Sequence, residues 1–171
     1  MNITLIGMAG AGKSYTGRAL AKKLGYKFLD IDLIIESKLK KGLHDVVRSI
    51  GDREFVRLEE KTILSLKNLK NTVISPGGSV VYSKKAVRHL RKLGPVVFLK
   101  TPFSVIRERV PDMNARGLIK FKHKTLRSLY LERLPLYEKS SHLAVSMPKG
   151  VKVSRVLSSI LKVLLEPEFY S

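Results

Sequence analysis

The chain contains no cysteine and no tryptophan among its 171 residues. Without cysteine it can form no disulfide, thiolate nucleophile or cysteine-based zinc site, which is compatible with a reducing cytoplasm. Long apolar runs are also missing, because stretches such as residues 96–99 are far too short to cross a bilayer. The first ten residues carry no lysine or arginine. We therefore expect no secretory signal, no membrane partner and a cytoplasmic location.

Acidic side chains are scarce: 14 stand against 33 lysines and arginines, which gives a formal net charge of +19. This excess favours an anionic partner, such as a nucleic acid or a phosphorylated small molecule. Half of the acids lie within residues 31–60, whereas residues 61–100 hold nine bases and no acid. Hydrophobic residues make up 44% of the chain, which is enough for a packed core rather than disorder. The length predicts one domain over residues 1–171, and we expect a monomer.

Short apolar runs alternate with helical patterns along the chain. The predicted strands are 3–6, 27–29, 72–75, 96–99 and 143–145, and the predicted helices are 13–24, 33–40, 52–69, 84–93, 104–109, 124–134 and 154–164. This alternation predicts an α/β fold of three layers, with helices on both faces of a five-stranded parallel sheet. Residues 111–124 have no regular pattern, and we interpret them as a mobile lid.

Residues 7–14 follow the first predicted strand and read GMAGAGKS, a full match to the phosphate-binding loop of P-loop proteins. Glycines let the backbone N–H groups face phosphate oxygens, and the next helix offers its N-terminus to the anion. In this motif the lysine reaches the β- and γ-phosphates and the serine hydroxyl ligates Mg²⁺. The predicted nucleotide ligands here are Gly10, Ala11, Gly12, Lys13, Ser14 and Tyr15.

Two carboxylates, Asp30 and Asp32, end the second predicted strand. Ligands of open α/β sheets bind at this carboxyl edge, beside the phosphate loop. Phosphoryl transfer needs a group that holds the metal and a group that orients or deprotonates the acceptor hydroxyl, and these two residues can divide the tasks. The alternative is that Asp32 only caps a helix that begins at Leu33. Spacing does not decide between the two.

Further motifs follow in a characteristic order. They are Ile35-Glu36 after the aspartates, Gly51-Asp52-x-x-Phe55 with Glu59, Pro76-Gly77-Gly78-Ser79, Asn114-Ala115-Arg116, and Glu132-Arg133-Leu134-Pro135-Leu136-Tyr137-Glu138. Together with the phosphate loop, this set resembles the shikimate kinases over nearly the whole chain. The resemblance implies a P-loop kinase fold with a substrate-binding helical segment at about 33–62. It also implies transfer of the ATP γ-phosphoryl group to the 3-hydroxyl of shikimate, in the biosynthesis of aromatic amino acids.

The resemblance also implies roles for single residues. Lys13, Ser14 and Asp30 would serve MgATP, with Ser14 and Asp30 as metal ligands, and Arg109 would stack on adenine. Asp32 would bind the substrate hydroxyls as the candidate base, Gly77 and Gly78 would admit the substrate ring, Arg133 would pair with its carboxylate, and Arg116 would close over the phosphates. Arginine suits these contacts because its planar fork binds carboxylates and phosphates through two bonds. Without the family, Arg133 reads as a surface helix charge, and Arg109 and Arg116 as solvated loop residues.

The substrate half departs from the family pattern. Position 56 is Val56, where the family has a second arginine for the substrate carboxylate, and Ser79 replaces a third glycine. We hypothesise that Arg53, three residues earlier on the same helix face, substitutes for the missing arginine. Arg57 is adjacent in sequence but rotated away by about 100°.

Two other functions stay open at this stage. One is a related P-loop kinase for another hydroxy acid or polyol, which Val56 supports. The other is a basic P-loop protein associated with nucleic acid, because three bases line one face of the helix predicted at 84–93. We do not expect a nucleic-acid partner, since charge runs are usually solvated faces and the sequence contains no recognised nucleic-acid-binding motif.

Overall fold

A parallel sheet of five strands forms the centre of the computed structural model, which describes residues 1–113, 117–119, 121 and 125–164. The strand order is β2-β3-β1-β4-β5. The strands β1, β3 and β4 are buried along all or nearly all of their length, which explains their continuous apolar runs. The predicted three-layer α/β/α fold with five parallel strands is confirmed. The strands are β1 (Ile3–Ile6), β2 (Lys27–Asp30), β3 (Thr72–Ser75), β4 (Val96–Lys100) and β5 (Leu143–Ser146).

Eight α-helices pack around this sheet in the described residues, with one short 3₁₀-helix at Val80–Tyr82. None of the helices described is long and apolar enough to cross a membrane. The helices are α1 (Lys13–Leu24), α2 (Ile31–Leu39), α3 (Leu43–Ile50), α4 (Asp52–Leu64), α5 (Lys84–Leu93), α6 (Phe103–Arg109), α7 (Leu126–Ser140) and α8 (Val153–Leu164).

The start of α2 differs from the prediction, and the difference decides the capping question. The helix begins at Ile31 rather than at residue 33. Its N-cap is Asp30, whose Oδ1 accepts hydrogen bonds from the backbone N–H groups of Asp32 and Leu33 at 3.1 and 3.4 Å. The capping role considered for Asp32 is therefore wrong, because Asp30 satisfies these helix-terminal donors. The carboxylate of Asp32 remains available for other work.

The predicted elements omitted α3 altogether. Its four apolar residues do have the i, i+3, i+4, i+7 spacing of an amphipathic helix, but the helix has only eight residues and buries only Val46 fully. Its N-cap is Gly42, which has no side chain to cap the helix. Instead Glu36 Oε1 on α2 accepts a hydrogen bond from the backbone N–H of Leu43 at 2.7 Å. A side chain from another helix thus takes the place of a local N-cap side chain.

Two helix ends were also predicted wrongly. The helix α4 ends at Leu64 rather than at 69, and α7 continues through Pro135 to Ser140 instead of ending at 134. The proline is exposed, and the buried stripe of α7 that includes Arg133 continues beyond the proline at Tyr137 and Ser140. Packing of that stripe outweighs the one backbone hydrogen bond that a proline removes.

Candidate active site

The phosphate loop joins β1 to α1 through two glycines in the left-handed region. Gly10 has φ of 80° and Gly12 has φ of 90°, which side chains rarely adopt. Gly12 is the N-cap of α1 and offers no side chain to the first N–H groups of that helix. Ala11, which stands between these two glycines, is buried. The N-terminus of α1 is therefore open to an anion, as the motif predicts.

The side chain of Lys13 folds back across this loop. Its Nζ donates hydrogen bonds to the carbonyl oxygens of Gly7 and Met8 at 3.0 and 3.2 Å. Burial lowers the pKa of Lys13, and nearby carboxylates, first that of Asp32, act in the opposite direction. The loop thus holds the ammonium beside the place that the phosphates would take.

Ser14 and Asp30 meet at the start of α1, as their predicted roles require. The hydroxyl of Ser14 donates to Asp30 Oδ2 at 2.8 Å. A hydroxyl and a carboxylate are oxygen donors of the kind that Mg²⁺ uses together with phosphate oxygens and water. Within the described residues there is no group of three or more histidines, aspartates or glutamates that could hold a metal alone. The pair therefore fits a metal that arrives with a nucleotide.

Asp32 points from the first turn of α2 toward the loop after β3. Its Oδ1 is buried and accepts no hydrogen bond from the described residues. Burial raises the pKa of Asp32 to about 7, the nearby Glu59 carboxylate adds to the shift, and Lys13 opposes it. A carboxyl group with such a pKa can accept a proton near neutral pH.

Glu59 lies behind the same loop and is 1% exposed. Its Oε2 accepts a hydrogen bond from the hydroxyl of Ser79 at 2.6 Å, whereas its Oε1 has no hydrogen-bond partner in the described structure. Burial raises the pKa of Glu59, and the hydrogen bond from Ser79 is the strongest of the effects that oppose this rise.

The loop after β3 needs its two glycines because both lie against charged side chains. A Cβ on Gly77 would come within 2.6 Å of Glu59 Oε1 and 2.8 Å of Asp32 Oδ1. A Cβ on Gly78 would lie 3.1 Å from Arg133 Nη1. Gly77 therefore borders the carboxylates and Gly78 borders the arginine, so the two ends of a bound substrate would meet opposite charges.

Arg133 is 1% exposed, so the reading of this residue as a surface charge is wrong. Its Nη2 donates to the carbonyl oxygen of Ile119 at 2.6 Å, and its Nε donates to the hydroxyl of Tyr82 at 3.2 Å. The guanidinium also lies 5.1 Å from the centre of the Tyr82 ring. These contacts fix its orientation, while its charge has no carboxylate partner among the ion pairs of the described residues.

Most of these groups line one cavity of about 830 Å³, whereas Asp30 and Glu59 lie behind its lining residues. Residues 117–119 of the predicted lid are buried and line it, and Gly117 packs against the backbone of His44 at the start of α3. The cavity thus extends from the phosphate loop to Arg133. Its lining includes Gly10, Gly12, Lys13, Ser14, Tyr15, Asp32, Gly77, Gly78, Arg109 and Arg133.

Three further predicted residues have different outcomes. Arg109 lies over the phosphate loop, where its Nη1 donates to the carbonyl oxygen of Gly10 at 3.0 Å. Arg116 lies outside the described residues. Arg53 is exposed on α4 and is not among the cavity-lining residues. The structure therefore does not bring Arg53 to the cavity, and the predicted replacement for an arginine at position 56 lacks geometric support.

A signal in the sequence marks the buried charges of Glu59 and Arg133. On α4 the buried residues are Phe55, Glu59, Thr62 and Ile63, so Glu59 occupies the apolar stripe. On α7, Arg133 stands in the same way between Leu129 and Tyr137. A charged residue at a core position of an amphipathic helix indicates a buried functional group.

Comparison with known proteins agrees with this geometry. The family model described as shikimate kinase matches residues 9–165. A shikimate kinase from Persephonella marina is 36% identical over 136 residues, covering 80% of this chain and 83% of that protein. Another from Thermodesulfovibrio yellowstonii is 32% identical over 163 residues, covering 94% and 93%.

Among solved structures, shikimate kinase from Acinetobacter baumannii in complex with shikimate is 31% identical and superposes with a TM-score of 0.86. The match covers 96% of this chain and 92% of that one. Since both the family model and several relatives match over most of their length, this chain belongs to the shikimate kinase family.

Proposed function

We propose that this chain transfers the γ-phosphoryl group of ATP to the 3-hydroxyl of shikimate. The observation that carries the proposal is the single cavity that joins a phosphate loop to a free carboxylate, Asp32, and a buried arginine, Arg133. Shikimate has hydroxyls at one side of its ring and a carboxylate at the other. The two charges on either side of Gly77 and Gly78 match that arrangement.

At the nucleotide end, the N-terminus of α1 and the ammonium of Lys13 would bind the phosphates. On binding, Lys13 would exchange its two carbonyl contacts for phosphate oxygens and stabilise the charge that develops during transfer. Arg109 stands beside the loop at Gly10, where it can contact the nucleotide. Arg116 remains a predicted phosphate ligand from the lid.

Ser14 and Asp30 would hold Mg²⁺ through the oxygens that now share a hydrogen bond. The bound ion would neutralise phosphate charge. For this, the hydroxyl of Ser14 must turn from Asp30 toward the metal. Asp30 keeps its second oxygen on the N-terminus of α2, which fixes the direction of the carboxylate.

At the substrate end, Asp32 would accept a hydrogen bond from the 3-hydroxyl and orient its oxygen toward the γ-phosphorus. As the new oxygen–phosphorus bond forms and the bond to the leaving ADP oxygen breaks, the hydroxyl proton passes to Asp32. Arg133 would pair with the substrate carboxylate. Its contacts with Ile119 and Tyr82 hold the guanidinium in place before the substrate arrives.

The test is a coupled ATP-consumption assay with Mg²⁺ over shikimate, quinate, gluconate and nucleoside monophosphates. We expect turnover with shikimate, with a kcat/KM far above that for the other acceptors. Turnover with quinate or gluconate instead would support the related kinase that Val56 suggests. Turnover with none would overturn the kinase proposal. We further propose that the enzyme acts as a cytoplasmic monomer, which light scattering of the purified protein tests for the oligomeric state.

A further inference from the structure

The hydrogen bond between Ser79 and Glu59 lies directly behind the substrate face of the cavity. Both residues are buried, with exposures of 3% and 1%, and their oxygens are 2.6 Å apart. Ser79 itself lines the cavity together with Gly77 and Gly78. The bond therefore joins α4 to the loop that would face the substrate.

The other oxygen of Glu59, Oε1, shows which group the Ser79–Glu59 hydrogen bond positions. A Cβ on Gly77 would lie 2.6 Å from Glu59 Oε1, so the carboxylate is in close contact with the backbone at Gly77. Asp32 Oδ1 lies on the same side of Gly77, 2.8 Å from the same Cβ position. A shift of Glu59 would consequently disturb the packing of Gly77 against Asp32, the carboxylate that would bind the substrate hydroxyls.

No other side chain of the described structure donates a hydrogen bond to Glu59. Position 56 lies one helical turn before Glu59 on α4, close enough for a long side chain to reach it. The family pattern has an arginine there, whereas this chain has the half-buried Val56. The family pattern also has a glycine where this chain has Ser79. The two departures thus occur at residues that adjoin the same carboxylate.

We propose that Ser79 is a positioning residue for the substrate, in place of an arginine at position 56. Its hydrogen bond holds Glu59 against Gly77, and thereby keeps Gly77 and the adjoining Asp32 carboxylate, which would bind the substrate hydroxyls, in position. This inference rests on the proposed function, because its measurements use shikimate as acceptor.

The central experiment is steady-state kinetics of Ser79→Ala. Loss of a hydrogen bond to a charged group predicts a rise in the KM for shikimate of about tenfold. The KM for ATP should stay within about twofold, because the phosphate loop is untouched. Ser79→Thr keeps a hydroxyl and should restore much of the affinity. In a Val56→Arg background, Ser79→Ala should raise the KM for shikimate by no more than about twofold, because the new arginine holds Glu59.

Ser83→Ala is a matched control. Ser83 donates to the neighbouring Glu60 at 2.5 Å and caps α5 through the backbone N–H of Ala86, but it does not line the cavity. Its loss should lower the melting temperature without changing either KM. This variant separates the loss of a buried serine–glutamate bond from a specific effect on the substrate.

Several outcomes would overturn the inference while leaving the proposed function intact. One is an unchanged KM for shikimate in Ser79→Ala. Another is an equal rise in the KM for shikimate and the KM for ATP. A third is a rise in the KM for shikimate that is the same with and without Val56→Arg. If Ser79→Ala does not fold, Ser79→Thr can be compared with Ser79→Gly, alone and with Val56→Arg. This comparison also measures how the KM for shikimate depends on a hydroxyl at position 79. A wild-type protein that does not phosphorylate shikimate would instead refute the proposed function.

Discussion

The phosphate end and the substrate end of the cavity are formed by different kinds of groups. At the phosphate end, one continuous turn supplies backbone N–H groups, the N-terminus of α1 and Lys13, and the adjoining Asp30 follows on the next strand. At the substrate end, side chains come together from α2, α4, the loop after β3 and α7. The first end depends on a local backbone shape, whereas the second depends on packing between distant parts of the chain.

This difference explains where the chain departs from its family. A loop that binds phosphate through its backbone tolerates few changes, because its glycines must adopt positive φ angles. Contacts between side chains can be exchanged in compensating steps. The serine at 79 donates a hydrogen bond to the buried carboxylate of Glu59, and the valine at 56 lies one helical turn before Glu59 on α4. The phosphate motif is intact.

The largest expected effects come from one substitution at each end. Asp32→Asn removes the proton acceptor while keeping the shape, so kcat should fall on the order of 10²–10⁴-fold with the KM for ATP nearly unchanged. Lys13→Ala should lower kcat and also raise the KM for ATP, because it removes a phosphate contact. Steady-state kinetics with each substrate varied in turn separates the effects on kcat from those on the KM for ATP. Asp32→Asn with more than a tenth of the wild-type kcat would exclude Asp32 as the base.

The next effect concerns the arginine of the substrate end. Arg133→Lys keeps the charge but loses the planar fork that donates to Ile119 and Tyr82. We expect the KM for shikimate to rise by about 10–100-fold, with the KM for ATP within about twofold. Arg91→Lys is the control, because the exposed Arg91 on α5 donates a hydrogen bond to the carbonyl oxygen of Ser140 on α7, the helix that carries Arg133. Equal effects of the two substitutions would assign Arg133 to stability alone.

The difference between local features and contacts between distant residues also determines how much of the fold and the site the sequence could predict. Alternating apolar runs and glycine signals predicted all five strands, and the motif at 7–14 predicted the phosphate end, because both depend on neighbouring residues. The helix α3 also has a local signal, the spacing of its four apolar residues, although its N-terminal cap comes from Glu36 on another helix. The burial of Arg133 depends on contacts from elsewhere in the chain, such as that with Tyr82, and the sequence shows it as a charge that interrupts the core stripe of α7.

A smaller effect tests the electrostatics of the substrate end without ligands. The pKa of Asp32 is raised to about 7 from an ordinary value of 3.8. Its contribution to stability is therefore fully present below pH 3.8 and is lost as the pH rises through 7. The free energy of unfolding of the ligand-free protein should fall by about 3 kcal/mol more in wild type than in Asp32→Asn between pH 4.5 and 7.5. Urea titrations at several pH values measure this difference, and parallel profiles would contradict the raised pKa.

The smallest expected effect concerns Arg53, the residue predicted to replace an arginine at position 56. Because Arg53 is exposed and does not line the cavity, Arg53→Ala should leave the KM for shikimate within about twofold. Arg57→Ala is the matched control, since Arg57 is also exposed on α4 and pairs only with Glu54, at 2.7 Å, among the described ion pairs. A tenfold rise in KM for Arg53→Ala alone would show that Arg53 reaches the bound carboxylate. An unchanged KM in both variants would leave the buried Arg133 as the carboxylate ligand.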